Sequence, residues 1–429
     1  MSAGAVPGGT PGGVPPQPAR RPGTPGTAEA RRGARPGRLP GGAGRPGRTG
    51  RPVRTGHPGR TGRPGRRSGT LAFVESPVQL LNVLEWAHTA GGAEEGGGDL
   101  TVVVLPPREA MTRGQLRRMA ELARDEGIAV RWEEARGGAG APLRTVASLL
   151  GPLRRAARIV VGDPFSRYVQ LLLSLARTEG AAPGGPAAPG GPGGVVVVDD
   201  GTATMEFVTQ LARGERLVRW HRKGAGGARA ALFAPVSASA RRRMTPSARR
   251  RVEVFSSMPV EAPEHVSVTR NDFAWTRARF GPPALTGGTD LVGTSLVETG
   301  VVDPERYLEA VASLTREHGA TRYFAHRRES ADKLHRIAAG TGLEIVRPDL
   351  PLELVARRGP IGRTIVSFPS TVVHTLPLAL AGTGVTVAVC DVDPAWLTEG
   401  ASPRARGFLS GVTGTARGVR RLPSAPPAS

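Results

Sequence analysis

From residue 69 onward, short apolar runs alternate with longer amphipathic segments. "TLAFVE" (70–75) has the length and β-branched content of a strand, and "SPVQLLNVLEWAHTAG" after it has a helical period. Ser76 is placed to cap that helix, Pro77 sits at its first position, and Gln79 at the third completes a capping-box pattern. The same alternation continues through "LTVVVLP" (100–106), a helix in "EAMTRGQLRRMAELARDEG", a strand in "IAVRWEE", then "ARIVVGD" (157–163) and the helix "SRYVQLLLSLAR". A Gly/Pro/Ala stretch at 179–194 reads as a surface insertion. It ends at "VVVVDDG", residues 195–201, where four valines meet two carboxylates and a glycine. Residues 223–251 are basic and weakly patterned, and "RVEVFSS" resumes the strands.

A second series begins near residue 286 with "TDLVGTSLVE", the helix "DPERYLEAVASLTREHG", the strand "TRYFAH" and the helix "SADKLHRIAAGTG". "LEIVR", "PLELVARRG", "RTIVSFP", a helix from Ser370 and "VTVAVCD" carry it on. Strands that are apolar throughout, separated by helices, predict parallel sheets covered on both faces. The expectation is therefore an α/β chain with two tandem Rossmann-like, doubly wound domains, at 69–285 and 286–396, and a cleft between their strand C-terminal ends. From 397 to 429 the composition turns to Gly, Ser, Pro and Arg and predicts a low-complexity, frayed tail.

Composition changes the picture mainly at the N-terminus. Residues 1–68 hold fourteen arginines and one acid, Glu29, and so supply +13 of the chain's +22. Such a Pro/Gly/Arg arm cannot bury enough apolar surface to offset its ordering entropy and is expected to be disordered. Its charge suits peripheral contact with an anionic membrane surface, or nucleic acid. A single cysteine, Cys390, excludes an internal disulfide and fits a reducing compartment. No apolar signal segment opens the chain. The uncharged run "STVVHTLPLALAGTGVTVAVC" from Ser370 contains Pro377 and two glycines, and it reads as helix, turn and strand rather than a membrane span. The expected location is cytoplasmic, at most peripheral to the membrane.

Three constellations carry chemistry. Asp199 and Asp200 follow a strand, at the edge where open sheets bind ligands; paired carboxylates raise one pKa toward a value suited to proton transfer. Gly201 permits a tight turn and close approach to a ligand. Capping of the next helix, or a divalent metal, would use the same acids. In "YFAHRRES" (323–330), His326 follows a strand, Arg327 and Arg328 suit a phosphate, and Ser330 is placed to cap a helix. In "VSFPST" (366–371), Ser370 and Thr371 open an uncharged helix whose free N–H groups suit the same ligand, although ordinary capping explains them too.

Taken together, in order and spacing, "DDG" at 199–201, "HRRES" at 326–330 and "PST" at 369–371 resemble the motifs of the bacterial sialyltransferases of the lipooligosaccharide and polysialyltransferase type. "ESPVQLLNVLE", "VVGD", "VGTSLVETGVVDPERYLEAV" and "PDLPLELV" fit the same group, and the likeness spans roughly residues 70–392. The polysialyltransferase-like branch is the nearer, because a plain His-Pro replaces the His-Arg-Arg-Glu elsewhere in the group. The resemblance implies a GT-B architecture and an inverting transfer of a sialic-acid-type sugar from a CMP-sugar co-substrate to a glycan hydroxyl, with no metal and no other cofactor. It implies an acid of the DDG as base, His326 steadying the departing phosphate, and Ser370 and Thr371 gripping it. Between the two acids, Asp199 is expected to be the base, with Asp200 capping the following turn or keeping its partner's pKa raised. Glu298 and Glu353 lie in resembling segments and are candidates for the cytidine or ribose. Glu329 belongs to the His motif, and Gln79 is a candidate for the acceptor. His335 and His374 fall within helices and read as packing or surface residues. No His/Cys/Asp cluster has metal-site spacing. The competing readings are a transferase with another nucleotide-sugar donor, and an inactive basic protein associated with nucleic acid or membrane. Aromatics at 4% of the chain give the nucleic-acid reading no stacking surface.

Overall fold

A computed structural model describes residues 69–91, 100–176, 194–219, 228–247 and 250–424. The basic arm and its expected membrane contact lie outside the described residues. So does the 179–194 insertion, except for Gly194, which opens a strand.

The first lobe is built on a seven-stranded parallel sheet in the order β3-β2-β1-β4-β5-β6-β7. Its strands are β1 (Thr70–Val74), β2 (Leu100–Val104), β3 (Ala129–Trp132), β4 (Arg158–Val161), β5 (Gly194–Val198), β6 (Arg251–Ser256) and β7 (Val266–Arg270). The valine run shows why the sheet is covered on both faces. Alternate side chains of a strand point to opposite faces. Val195 and Val197 accordingly enter a core with Leu71, Phe73, Leu149, Leu172 and Phe207, while Val196 and Val198 enter another with Leu80, Leu84, Met119 and Phe255. Each buried valine is favoured by roughly 1.5–3 kcal/mol over an exposed one, which fixes β5 in the middle of the sheet.

Helices α1 (Pro77–Gly91), α2 (Ala110–Asp125), α3 (Ala141–Arg155), α4 (Arg167–Leu175), α5 (Thr202–Ala212) and α6 (Ala228–Arg243) connect these strands, and α7 (Ala274–Phe280) follows β7. α3 and α6 are helices that the pattern did not announce; prolines interrupt both, at Pro152 and Pro235. The second lobe has a six-stranded parallel sheet in the order β10-β9-β8-β11-β12-β13. Its strands are β8 (Leu285–Val292), β9 (Ala320–Phe324), β10 (Glu344–Val346), β11 (Ile361–Ser367), β12 (Thr386–Cys390) and β13 (Arg420–Leu422). Its helices are α8 (Pro304–His318), α9 (Ala331–Thr341), α10 (Leu352–Arg358), α11 (Val372–Ala379) and α12 (Pro403–Thr415). Two tandem doubly wound sheets facing across a cleft form the GT-B-like α/β architecture.

The C-terminal tail is a correction. Ser402 caps α12 by accepting from the Ala405 N–H (3.2 Å), and Pro403 takes the first turn. Leu409 and Leu422 reach the second lobe's core, and β13 pairs with β12. A few apolar residues at helical spacing were enough to order a stretch whose average composition is that of a loop. Among the described residues no helix is long and apolar enough to cross a membrane.

The lobes share a core. Leu350, Leu354 and Ala379 of the second pack with α1 and α7 residues of the first. Polar groups at the same junction are satisfied across it, as where Gln115 Nε2 donates to the Pro348 carbonyl (2.8 Å). α7 is held by α1: the buried Glu85 carboxylate accepts from the Trp275 N–H, the Thr276 N–H (each 2.9 Å) and the Thr276 hydroxyl (2.5 Å). Burial pushes the Glu85 carboxyl up to about 7 even against these donors. Glu85→Ala should therefore leave three buried donors unpaired and cost about 2–4 kcal/mol of stability, read as a lower urea midpoint. A loss within about 0.5 kcal/mol, the range of surface changes, would show that α7 is held by apolar packing alone.

Candidate active site

In the first lobe the two acids after β5 have different surroundings. Asp199 is only 2% exposed. Its Oδ2 accepts from the Ser257 N–H (3.1 Å) and hydroxyl (2.8 Å), just beyond the end of β6. Its Oδ1 is buried with no partner, and burial raises its pKa. The Asp199 carbonyl accepts from Asn82 Nδ2 (2.8 Å), and Asn82 Oδ1 accepts from Asn271 (2.9 Å). The turn is thus pinned from α1 and from the end of β7.

Asp200 keeps about a fifth of its side chain exposed. Its carboxylate meets Arg219 at 3.2 Å, and the same guanidinium meets Asp163, beyond the end of β4, at 3.1 Å. Burial, then the nearby Asp163 charge, push the Asp200 carboxyl up to about 7, with Arg219 and a hydrogen bond from Gln79 opposing. The acid that raises it is therefore Asp163 and not its neighbour in sequence. Asp200 does not cap the next turn with its side chain: the residue before α5 is Gly201, with φ of 61° and no side-chain cap. Gly201 is where the lobes approach, since a Cβ there would lie 2.9 Å from Thr371 Cγ2.

Ser76 caps α1 as expected, accepting from the Gln79 N–H (3.2 Å). The Gln79 amide reaches one residue further back than a capping box requires, accepting from the Glu75 N–H (2.7 Å). Gly162 is what admits it, because a Cβ there would stand 2.6 Å from Gln79 Oε1.

In the second lobe His326 follows β9. Its Nδ1 accepts from the Arg328 N–H (3.2 Å), so the ring proton sits on Nε2. Burial, reinforced by Arg327 and Arg328, lowers the imidazole to about 4, which makes it a neutral donor at physiological pH. Arg327 lines the cleft beside it. Arg328 is exposed and contributes its backbone N–H to the histidine. Ser330 caps α9 through the Lys333 N–H (3.2 Å).

Glu329 and Glu298, expected to touch substrate, are engaged inside the protein instead. The Glu329 side chain is fully buried and accepts from the His326 N–H (2.6 Å), Tyr323 Oη (2.6 Å) and Lys333 Nζ (2.8 Å). Lys333 also donates to the Thr294 carbonyl (3.0 Å) and meets Glu298 at 3.3 Å, and Tyr323 Oη lies 2.7 Å from Tyr307 Oη. Gly293 makes room for the cluster, since a Cβ there would collide with Glu329 and Tyr323. A carboxylate sealed by three donors orients the histidine turn and is not open to a ligand.

Ser370 and Thr371 lie between β11 and α11. Neither hydroxyl caps the helix: Thr371 makes no side-chain capping bond, and Ser370 Oγ is 3.5 Å from Ser367 Oγ. Glu353, in the first turn of α10, accepts from the Thr375 hydroxyl (2.6 Å), and burial raises its pKa. Asp199, Asp200, Gly201, His326, Arg327, Glu353, Ser370 and Thr371 all line one cavity of about 390 Å3 between the two sheet edges. Arg328, Glu329, Glu298 and Gln79 stand outside its wall. His335 is exposed on α9, and His374 on α11 is buried.

Sequence reasoning did not pick out Asn82, Asp163, Arg219, Ser257, Tyr323 or Lys333. Gln79, Asn82 and Glu85 were visible as a polar stripe three residues apart in an otherwise apolar helix. Asp163 and Ser257 follow strands, as the acids do. Among the described residues no group of three or more His, Cys, Asp or Glu side chains is gathered as around a metal ion.

No protein-family model and no curated protein sequence matches the chain. Among solved structures it is similar to the α/β-galactoside α-2,3-sialyltransferase of the luminous marine bacterium Photobacterium phosphoreum, at 8% identity over 83% of this chain and 99% of that one, with a TM-score of 0.44. It is also similar to a putative UDP-N-acetylglucosamine 2-epimerase from Listeria monocytogenes (12%, 75% and 79%, 0.42) and to the E. coli heptosyltransferase WaaC with ADP (14%, 81% and 99%, 0.35). Likenesses this distant carry nothing about donor, acceptor or reaction.

Lys333→Met should strand the buried Glu329 charge and cost about 3–5 kcal/mol, measured by urea unfolding at pH 8. A loss below about 1 kcal/mol would mean that the cluster is not what holds the histidine turn.

Proposed function

We propose that the chain is an inverting glycosyltransferase that moves a sialic acid, or a related nonulosonic acid, from a CMP-sugar to a glycan hydroxyl. The observation that carries the reading is the meeting of Asp200, His326, Ser370 and Thr371 on one cavity although they come from different lobes. A group that accepts a proton and groups that hold an anion are what such a transfer needs.

In this reading Asp200, and not Asp199, is the base. Asp199 is buried with Oδ2 held by Ser257, whereas Asp200 keeps about a fifth of its side chain exposed, lines the cavity and titrates near 7. The acceptor hydroxyl gives its proton to Asp200 as its oxygen bonds to the anomeric carbon. The bond from that carbon to the CMP phosphate oxygen breaks, and the electron pair leaves on the phosphate. His326 Nε2–H, Arg327, the Ser370 and Thr371 hydroxyls and the positive end of α11 receive that charge. No metal is assigned a part. Glu353, whose carboxyl is raised by burial, is assigned to the cytidine as a hydrogen-bond partner. Glu329 and Glu298 act through the histidine turn and Lys333. Gln79 orients the Asp200 side chain.

Asp200→Asn should keep CMP affinity and lose at least ~10²-fold in kcat, the low end for removing a general base. Asp199→Asn should fall far less and lose stability instead. If the two are reversed in a transfer assay with CMP-sialic acid, Asp199 is the base; if both keep full rate, the reading fails.

The base must be ionised to act. With its pKa raised to about 7, kcat/KM should fall about tenfold per unit below that pH and level off above it. Arg219→Gln removes a cation that favours the ionised form, so the acid limb should move to higher pH. An unmoved limb would assign it to another group. His326→Ala should reduce kcat by at least ~10²-fold, as loss of a preorganised donor does, while CMP binding weakens much less. Equal small losses in both would make His326 a packing residue.

A further inference from the structure

A second cavity, of about 240 Å3, opens at the far end of the first lobe's sheet edge. It lies where β6 and β7 end, facing α11 and the close of α12. Ser256, Ser257 and Arg270 line it from the first lobe, and His374, Thr415 and Arg417 from the second. No acidic residue lines it, so its wall charges are all positive. His374, 7% exposed, lines it from α11, and its Nε2 is buried with no hydrogen-bond partner. Buried polar atoms are ordinarily satisfied, and this one belongs to the few among the described residues that are not. Met258 and Leu378 supply the apolar part of the wall.

The two cavities are neighbours. Asp199 lines the first and Ser257 the second, and the Ser257 hydroxyl donates to the Asp199 carboxylate at 2.8 Å. Two exposed guanidinium groups from different lobes line a recess with an imidazole inside and no acid on its wall, and so match an oxyanion in charge. We propose that this recess is a binding site for a small oxyanion, a carboxylate or phosphate group, held by Arg270 and Arg417 with His374 and Ser257 on the inner wall. Such a group reaches the recess either as part of an acidic acceptor lying along the sheet edge or as a free anion. Occupancy bridges β7 to the segment after α12 and so bears on how the lobes are held.

The site is tested on the full chain by thermal unfolding and calorimetry, titrating inorganic phosphate and, separately, citrate at constant ionic strength. Both arginines are exposed, so the double variant Arg270→Gln, Arg417→Gln is expected to fold, checked by circular dichroism. Arg270→Lys, which keeps the charge and loses the fork, is the milder comparison. At least one anion should bind the wild type and the Ser370→Ala, Thr371→Ala variant alike, and bind the double arginine variant at least ~10-fold more weakly, since charge-assisted hydrogen bonds are lost. Arg270→Lys should fall between. Equal binding to the arginine variant, or no binding of either anion to the wild type, overturns the proposal. The source is separated by transfer kinetics with acidic and neutral acceptors. A KM rise confined to acidic acceptors in the arginine variant assigns the anion to the acceptor. Unchanged KM values with anion binding lost assign it to a free anion. The binding measurements need no turnover, so an absence of transfer activity would count against the proposed function and leave this site standing.

Discussion

The approach of Gly201 to Thr371 sets how the two halves of the cleft stand to one another. The glycine faces the threonine so closely that a Cβ would lie 2.9 Å from Cγ2. Asp200 is one residue before that contact on one side, and Ser370 one residue before it on the other. The spacing between the Asp200 carboxylate and the start of α11 is therefore set by the close approach of the Gly201 backbone to the Thr371 methyl. Positive φ at Gly201 and a shared apolar core behind α1, α7 and α10 keep that contact in register.

Several carboxylates at this junction are held where ionisation is unfavourable. Burial raises Glu85, Asp199, Asp200 and Glu353 alike, although each has hydrogen-bond donors or a cation against it. A carboxyl whose folded pKa lies above its unfolded one favours folding most when protonated. For Asp200 that contribution is complete below about 4 and declines as pH rises toward about 7, the region where its ionised form becomes useful. The form that stabilises the fold and the form able to accept a proton are thus opposed at the same side chain.

The alternation of strands and helices, the doubly wound class and the strand-end motifs were legible because apolar runs and their following polar residues are local signals. Val195 to Val198 announce a strand buried on both faces, and the residues after it must lie at the ligand edge. α3, α6 and α12 were not legible, since prolines and arginines interrupt their apolar pattern while a few residues, such as Leu149, Leu153 and Leu409, carry the packing. Glu329 and Glu298 illustrate a different limit. Their motif placed them near a ligand site, but which way a carboxylate turns depends on Lys333 and Tyr323, and on the missing side chain of Gly293. Asp163 and Arg219 were out of reach for a related reason, because their meeting depends on β4 and β5 being neighbours in the sheet.

Two adjacent acids after one strand would seem redundant if both served the same end. Their partners show a division. Asp199 turns toward β6 and α1, where Ser257, and Asn82 through the backbone carbonyl, fix the path of the chain. Asp200 turns toward β4, where Arg219 spans it and Asp163. Successive side chains leaving a strand diverge, so one residue is free to anchor the turn while the next faces the cavity. Asp199 is buried, with Oδ2 held by Ser257 and Oδ1 unpartnered. Asp200 keeps contact with the cavity, and burial, with the Asp163 charge adding to it and Arg219 opposing, brings its carboxyl to about 7. A single acid could not satisfy both sets of requirements, and the pair is the smallest sequence that does.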